Sequence, residues 1–297
     1  MEARQASSNG RVLVVGSANL DIVGRAPRHP NPGETLIGTQ YAEYAGGKGL
    51  NQAVAASRAG APTSFIAALG DDTAGATLRS IAVDSGVDVA HLQTIAGTPT
   101  GRALIVVDDD GENTIIVIPG ANARCEPSEV TEDSAVVLAQ LEIPTPTVAE
   151  MFRRAKSKGA RTVLNPAPAA ALPPDVLRLC DIVIPNEHEV ELLGGVDALH
   201  AGGVHTVIVT RGADGIEIFE PNRHVALPAF AVTAIDTTGA GDAFCGSLCA
   251  ALAGGADIDE SSRFAMATAA IATTRPGAVP SMPTRDEVIR FIQASAD

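Results

Sequence analysis

Residues 235–252 read IDTTGAGDAFCGSLCAAL, and they set one carboxylate, Asp242, behind Gly239, Ala240 and Gly241 at the mouth of a small-residue, apolar run with helical character. Glycines let backbone N–H groups approach an anion closely. The start of a helix adds the positive end of its dipole, about 0.3–1 kcal/mol at an exposed site. Such a pocket suits a phosphoryl group in transit, whose transition-state charge sits on equatorial oxygens. Asp242 beside it could draw a proton from an attacking hydroxyl, assistance typically worth about 10²–10⁴ in rate. The same dipole favours any acid in a first helical turn, so these four residues also fit a purely structural role.

Other polar residues fall at strand ends, where side chains face the ligand crevice of a parallel sheet. Asn19 and Asp21 follow the first strand in GSANLD, and Asn51 lies in GGKGLNQ. All three can bond neighbouring sugar hydroxyls, although Asp21 also fits a turn or cap. In PNEHE, Asn186 and Glu189 are spaced i, i+3. They could reach a magnesium-bound phosphate through water, or form a capping box at a helix start. VTRGADG (209–215) is a glycine-rich turn after a strand, fit to pass under a nucleotide.

Several chemistries are excluded. There is no GxxxxGK[ST] loop, and in AGGKGLNQ Gly49 stands where a magnesium-binding Ser or Thr would be. No GxGxxG follows the first strand, and HEVEL at 188–192 is not the zinc-protease HExxH. The four cysteines form no disulfide framework; Cys245 and Cys249 share a helix face and read as small core residues. With 297 residues, 45% of them hydrophobic, the chain can bury about three-quarters of its unfolded surface. A net charge of −14 argues against nucleic-acid or anionic-membrane partners. The N-terminal MEARQASSNG lacks the apolar region of a signal peptide, and no apolar run is long enough for a membrane span. A cytoplasmic enzyme is the expected class.

The elements that must position these residues follow from periodicity. Compact β-branched runs (RVLVVG, TSFIAALG, AVVLAQLE, RTVLNP, DIVIPN and HTVIVTRG) alternate with helical stretches such as LNQAVAASRAG, AGATLRSIAVDSG and TVAEMFRRAKSKG. This alternation predicts a mostly parallel sheet covered by helices. Two further helices close the chain, with Ser261 or Ser262 and Thr284 as cap candidates. Gly24–Gly47 and the hairpin Gly101–Asn122 break the pattern. Together they predict one small antiparallel sheet that acts as a lid, excluding water from phosphoryl transfer; two separate surface hairpins are the alternative.

Taken together, these motifs resemble the ribokinase-like carbohydrate kinase family from Arg11 to about Phe291. AGGKGLNQAVAASRAGAPTSFIAALG is similar to its N-terminal signature and DTTGAGDAFCGSLCAAL to its C-terminal one. NPGETLIG, LGDDTAG, GENTIIVIPGAN, QLEIP, LNPAP, PNEHE and TRPGAVPS follow in the family's order. The resemblance implies an α/β three-layer sandwich with a central mostly parallel sheet. It implies a single domain over 1–297, with a β-sheet lid from about 24–46 and 99–121 that pairs two copies as a homodimer. The implied reaction is ATP-dependent phosphorylation of the 5-hydroxyl of D-ribose, giving ribose 5-phosphate and ADP. Asn19, Asp21, Gly47, Lys48, Asn51 and Glu142 would line the sugar pocket, with Asp242 as base and Gly239, Ala240 and Gly241 as anion hole. Asn186, Glu189, Thr210, Gly212, Gly215, Gly241 and Met266 would serve ATP and Mg2+. Asp236, Thr238, Ala272, Arg275, Gly277 and Ser281 would hold a monovalent cation, K+. Met266 departs from a common His or Asn beside the base, Leu50 from a small residue, Thr238 from an aliphatic and Pro276 from Lys. The rivals are a kinase of another sugar or nucleoside (deoxyribose, fructose, adenosine) and a non-catalytic sugar-binding protein. Asn19 and Asp21, able to bind vicinal hydroxyls, favour ribose over deoxyribose.

Overall fold

The structure, a computed structural model, describes residues 10–131 and 133–295; the segment before Gly10, on which the reading of the N-terminus rests, lies outside them. Strand β1 (Arg11–Val15) leads into β2 (Asn19–Arg25) and β3 (Gln40–Gly46). Helix α1 (Lys48–Arg58) returns to β4 (Thr63–Ile66) and β5 (Ala68–Gly70), and α2 (Thr73–Asp84) to β6 (Gln93–Ile95). The hairpin β7 (Gly101–Val107) and β8 (Asn113–Ile118) follows, then β9 (Ser134–Ala139), α3 (Thr145–Ser157), β10 (Arg161–Leu164), α4 (Pro174–Leu177) and β11 (Ile182–Val183). The last part runs α5 (Glu187–Leu192), α6 (Val196–Ala201), β12 (Thr206–Thr210), β13 (Ile216–Glu220), β14 (Arg223–Leu227), α7 (Ala240–Ala253), α8 (Ile258–Thr273) and α9 (Arg285–Ala294).

The main sheet has the order β14-β13-β12-β11-β10-β9-β1-β4, parallel from β12 to β4. Side chains alternate across a strand, so β1 feeds two cores. Val12 and Val14 pack with Phe65, Phe244 and Leu248 on the side of α1 and α7. Leu13 and Val15 pack with Val148, Met151 and Phe152 on the side of α3. The expected α/β sandwich is therefore present. Cys245 and Cys249 lie in the first of these cores, as small apolar residues. The antiparallel strands β13 and β14 extend the sheet beyond the expected elements. Their sequences, IEIFE and RHVAL, show the period-two alternation of half-buried strands.

A second sheet, ordered β3-β2-β7-β8, stands over the C-terminal ends of the parallel strands. It differs from the expected lid in two ways. Its central pair, β2 and β7, is parallel, so the sheet is mixed rather than antiparallel. The reason is topological: both strands leave the body in the same direction, one directly after β1 and the other after β6. Its first strand is also Asn19–Arg25, not part of the stretch after Gly24. Residues 26–39 stay irregular, because Pro27, Pro30 and Pro32 offer no backbone donors to a ladder.

Candidate active site

Asp242 occupies the first turn of α7, 7% exposed. The chain reaches it through Gly239 at φ 75°, where a Cβ would lie 2.8 Å from that of Ala278. A left-handed, crowded position of this kind requires glycine. Helices α1 and α7 meet closely here: a Cβ on Gly246 would lie 2.3 Å from the carbonyl oxygen of Gln52. This contact brings α1 side chains onto the carboxylate. Asn51 Nδ2 donates to Asp242 Oδ2 at 2.9 Å, and Gln52 Nε2 donates to Oδ1 at 2.8 Å. Burial raises the Asp242 pKa, against the opposing pull of Lys48 and the two amides.

The small residues before Asp242 do not all offer free donors. The Ala240 N–H donates to the Thr237 carbonyl at 3.2 Å. Among the described residues, the N–H groups of Gly241 and Asp242 have no protein acceptor. The Gly239 N–H is likewise without a protein acceptor among the described residues, so the open donors at this helix start are those of Gly239, Gly241 and Asp242.

At the start of α1, Gly47 is the cap residue at φ 85°, and a Cβ there would meet Asn19 N at 2.7 Å. That close approach joins the start of β2 to the start of α1. Glu142, just after β9, accepts from Ser17 Oγ at 2.5 Å and from Lys48 N at 3.1 Å. Burial disfavours the Lys48 ammonium, but the carboxylates of Asp242, Glu142 and Glu189 outweigh it and raise its pKa. Asp21 has a pKa near 7, pushed up by burial first and then by Glu142 and Asp242. Asn19 is buried, and its Oδ1 accepts from Asn122 Nδ2 at 2.7 Å. Asn51 Oδ1 is buried with no partner, an acceptor left for a ligand hydroxyl. The structure thus gathers Asn19, Asp21, Gly47, Lys48, Asn51, Glu142 and Asp242 around one cleft under the second sheet.

Across α7 lies a cavity of about 460 Å³. Thr210, Gly212, Gly215, Gly241 and Met266 all line it, with Phe230, Val232 and Phe244 supplying apolar wall. Mostly apolar lining with few polar groups is the usual character of a small-molecule pocket. Asn186 is placed beside Thr210 by a parallel bridge. Here the capping box is realised: Asn186 Oδ1 accepts from Glu189 N, and Glu189 Oε2 accepts from Asn186 N, both at 2.8 Å. The box leaves Glu189 Oε1 without a protein donor among the described residues.

The loops after β14 and after α8 are tied together by one carboxylate. Asp236 Oδ1 accepts from Thr238 N at 2.9 Å and Oδ2 from Gly277 N at 2.8 Å. Burial works against the Asp236 charge, but these bonds and Arg25 hold its pKa below the usual range. Other members of the expected cation set are committed elsewhere. Arg275 pairs with Glu287 at 2.6 Å, Ser281 Oγ donates to the Ala278 carbonyl, and the Ala272 carbonyl accepts from Arg275 N. Ala272, Arg275 and Gly277 therefore offer main-chain oxygen rather than side chains. Sequence reasoning missed Ser17, Asn122, Gln52, Gln140 and Asn165. They lie within GSANLD, GENTIIVIPGAN, GGKGLNQ, QLEIP and LNPAP, but no local pattern marks their roles.

Comparison with known proteins follows the same lines. The model of the pfkB family carbohydrate kinases matches residues 9–285. A ribokinase from Haemophilus influenzae is 40% identical over 300 residues, 95% of this chain and 98% of the relative. A ribokinase structure from Thermotoga maritima superposes with a TM-score of 0.89 at 34% identity, covering 96% of this chain and 99% of that one. The structure of Arabidopsis thaliana ribokinase complexed with ribose and ATP gives 0.89 at 31% identity, with the same coverage.

Proposed function

The chain belongs to the pfkB family of carbohydrate kinases, and we propose that it transfers the γ-phosphoryl group of ATP to the 5-hydroxyl of D-ribose. One observation carries this reading: a buried carboxylate, Asp242, sits at a helix start between a polar cleft and an apolar cavity. Ribose is the sugar in the cleft, its hydroxyls met by Asn19, Asp21, Asn51 and the Lys48–Glu142 corner. ATP enters the cavity with its base against Met266 and Phe230, and its phosphates toward the N–H groups of Gly241 and Asp242. Asp242 takes the proton of the 5-hydroxyl as that oxygen attacks the γ-phosphorus and the bond to ADP breaks. Alignment of two bound reactants contributes several kcal/mol, up to about 7–11 in ideal cases.

Two ions fit this site. Magnesium, carried by the nucleotide, screens the triphosphate charge; the free oxygen of Glu189 suits a contact through water. Potassium would be held by the Asp236 carboxylate and the main-chain carbonyls of Ala272, Arg275 and Gly277, close to Thr238 and Ser281, and would supply fixed positive charge beside the helix-start N–H groups. Among the described residues no helix is long and apolar enough to cross a membrane. ATP supply fits a cytoplasmic enzyme that works as a homodimer through the lid sheet. Release of ADP from ATP, magnesium and potassium on adding D-ribose tests the reading. Equal kcat/KM for 2-deoxyribose overturns the ribose assignment, and no ADP with any sugar makes the chain a binding protein.

A further inference from the structure

Gln52 follows Asn51 on α1 and is wholly buried beneath Asp242. Its Nε2 donates to Asp242 Oδ1 at 2.8 Å and to Asn165 Oδ1 at 3.1 Å. Its Oε1 accepts from Gln140 Nε2 at 2.5 Å. Asn165 is anchored in turn, donating from Nδ2 to the Ile184 carbonyl at 2.9 Å. A chain of amides thus runs from the end of β9 through α1 to the carboxylate on α7, with a strut from the end of β10.

Packing does not explain this chain. Gln140 is 0% exposed, and its Oε1 has no partner, an orphan that costs stability. It fits only because residue 16 is glycine, where a Cβ would lie 2.0 Å from that oxygen. The direction of the chain is also fixed. With Gln52 turned over, its oxygen would face a carboxylate oxygen and its NH2 would face the NH2 of Gln140. The charge of Asp242 therefore sets Gln52, and Gln52 sets Gln140.

We propose that Gln52, backed by Gln140 and Asn165, is a positioning residue for Asp242. It fills one side of Oδ1 as Asn51 fills one side of Oδ2, and so leaves a single orientation in which the free lone pairs meet the sugar hydroxyl. The inference rests on the reading of Asp242 as the base. The groups charged or titratable around that carboxylate are Lys48, Asp21, Glu142 and the Cys245 thiol, and substitution of Gln52 leaves all four in place.

The test compares wild type with Gln52→Met and Gln140→Met. Both are assayed for ribose phosphorylation across pH, and the Asp242 carboxyl is followed by carbon-13 NMR, its signal assigned with Asp242→Asn. In Gln52→Met, kcat falls about 10–100-fold, the scale of a misplacement near 1 Å. KM for ribose stays near wild type. The acid limb of the kcat profile and the carboxyl midpoint both move to higher pH, because the charged form has lost a donor. Gln140→Met gives the same changes with smaller size, and it decides the matter if Gln52→Met does not fold. Unmoved kcat and midpoint in folded variants overturn the proposal, as does a rise in KM with kcat intact. If wild type phosphorylates no sugar while the midpoint still rises in the variants, the kinase reading fails and the positioning role stands.

Discussion

Asp242 and Asp21 are both acids with raised pKa values in one cleft, and their roles differ by what surrounds them. Asp242 is held by two amide donors and faces the helix start, so its loss should strike the chemical step. Asp242→Asn keeps the shape but removes the proton acceptor. It should lower kcat about 10²–10⁴-fold with ribose binding retained, as measured by steady-state kinetics and calorimetry. Near-normal turnover would reduce Asp242 to a helix-start acid. Asp21 titrates near 7, so the folded protein holds its proton more tightly than the unfolded chain at 3.8. Ionising it therefore costs stability progressively from the unfolded value up to about 7. Sugar hydroxyls donate to the ionised form, so ribose affinity should rise with pH through about 7 and level off above it. Calorimetry at a series of pH values checks this, and Asp21→Asn should flatten the curve. Most of these site residues were legible in the sequence, because acids and amides after strands and glycines before helices carry local signals. Gln52, Gln140 and Asn165 were not, since their role exists only where three elements converge.

At the scale of elements, the lid depends on how its base is fixed. Asp72 caps α2 by accepting from Gly75 N at 2.9 Å. It also accepts from Thr100 N and Oγ1 and from Arg102 Nη2, so it clamps the start of β7 to the body. Partial burial opposes its charge, but these donors hold its pKa at about 2. The sign follows: its stabilisation is present above 3.8 and lost as pH falls toward 2. Asp72→Ala should cost about 0.5–2 kcal/mol at neutral pH, read as a fall in Tm, and the difference should shrink in acid. The same variant should raise KM for ribose more than it lowers kcat, because Gly101, next to Thr100, packs on Asn122 and Asn19. An unchanged KM would separate the clamp from the sugar cleft. The parallel body was legible because buried runs alternate with helical periods. The lid was legible only in part. Its parallel central pair depends on where each strand leaves the body, and no local pattern encodes that. NLDIVGR announced its polar residues more strongly than its strand.

For the whole molecule, the lid poses the remaining question. Strand β8 is exposed along its whole length, with Ile116 at 60%. An apolar edge strand left open invites association or aggregation. Register sorts the sheet's two faces. Asn19 and Asp21 share a face with Ala103, Ile105, Ile115 and Val117, while Leu104, Ile116 and Ile118 lie on the other. The first face turns Asp21 toward Glu142 and Asp242, while on the second Leu104, Ile116 and Ile118 stay 38%, 60% and 43% exposed. A second copy presenting the same strand across a two-fold axis would cover that second face in a self-complementary way. The net charge of −14 opposes non-specific association elsewhere on the surface by mutual repulsion. Wild type should therefore sediment as a dimer. Ile116→Asp, which places a charge at the centre of the patch, should sediment as a monomer with its far-ultraviolet circular dichroism unchanged. A wild-type monomer, or a variant that remains dimeric, would remove the lid as the interface. Because no residue of β8 belongs to the core clusters of the body, the monomer should keep its melting transition while losing affinity for ribose, as the lid loses its support.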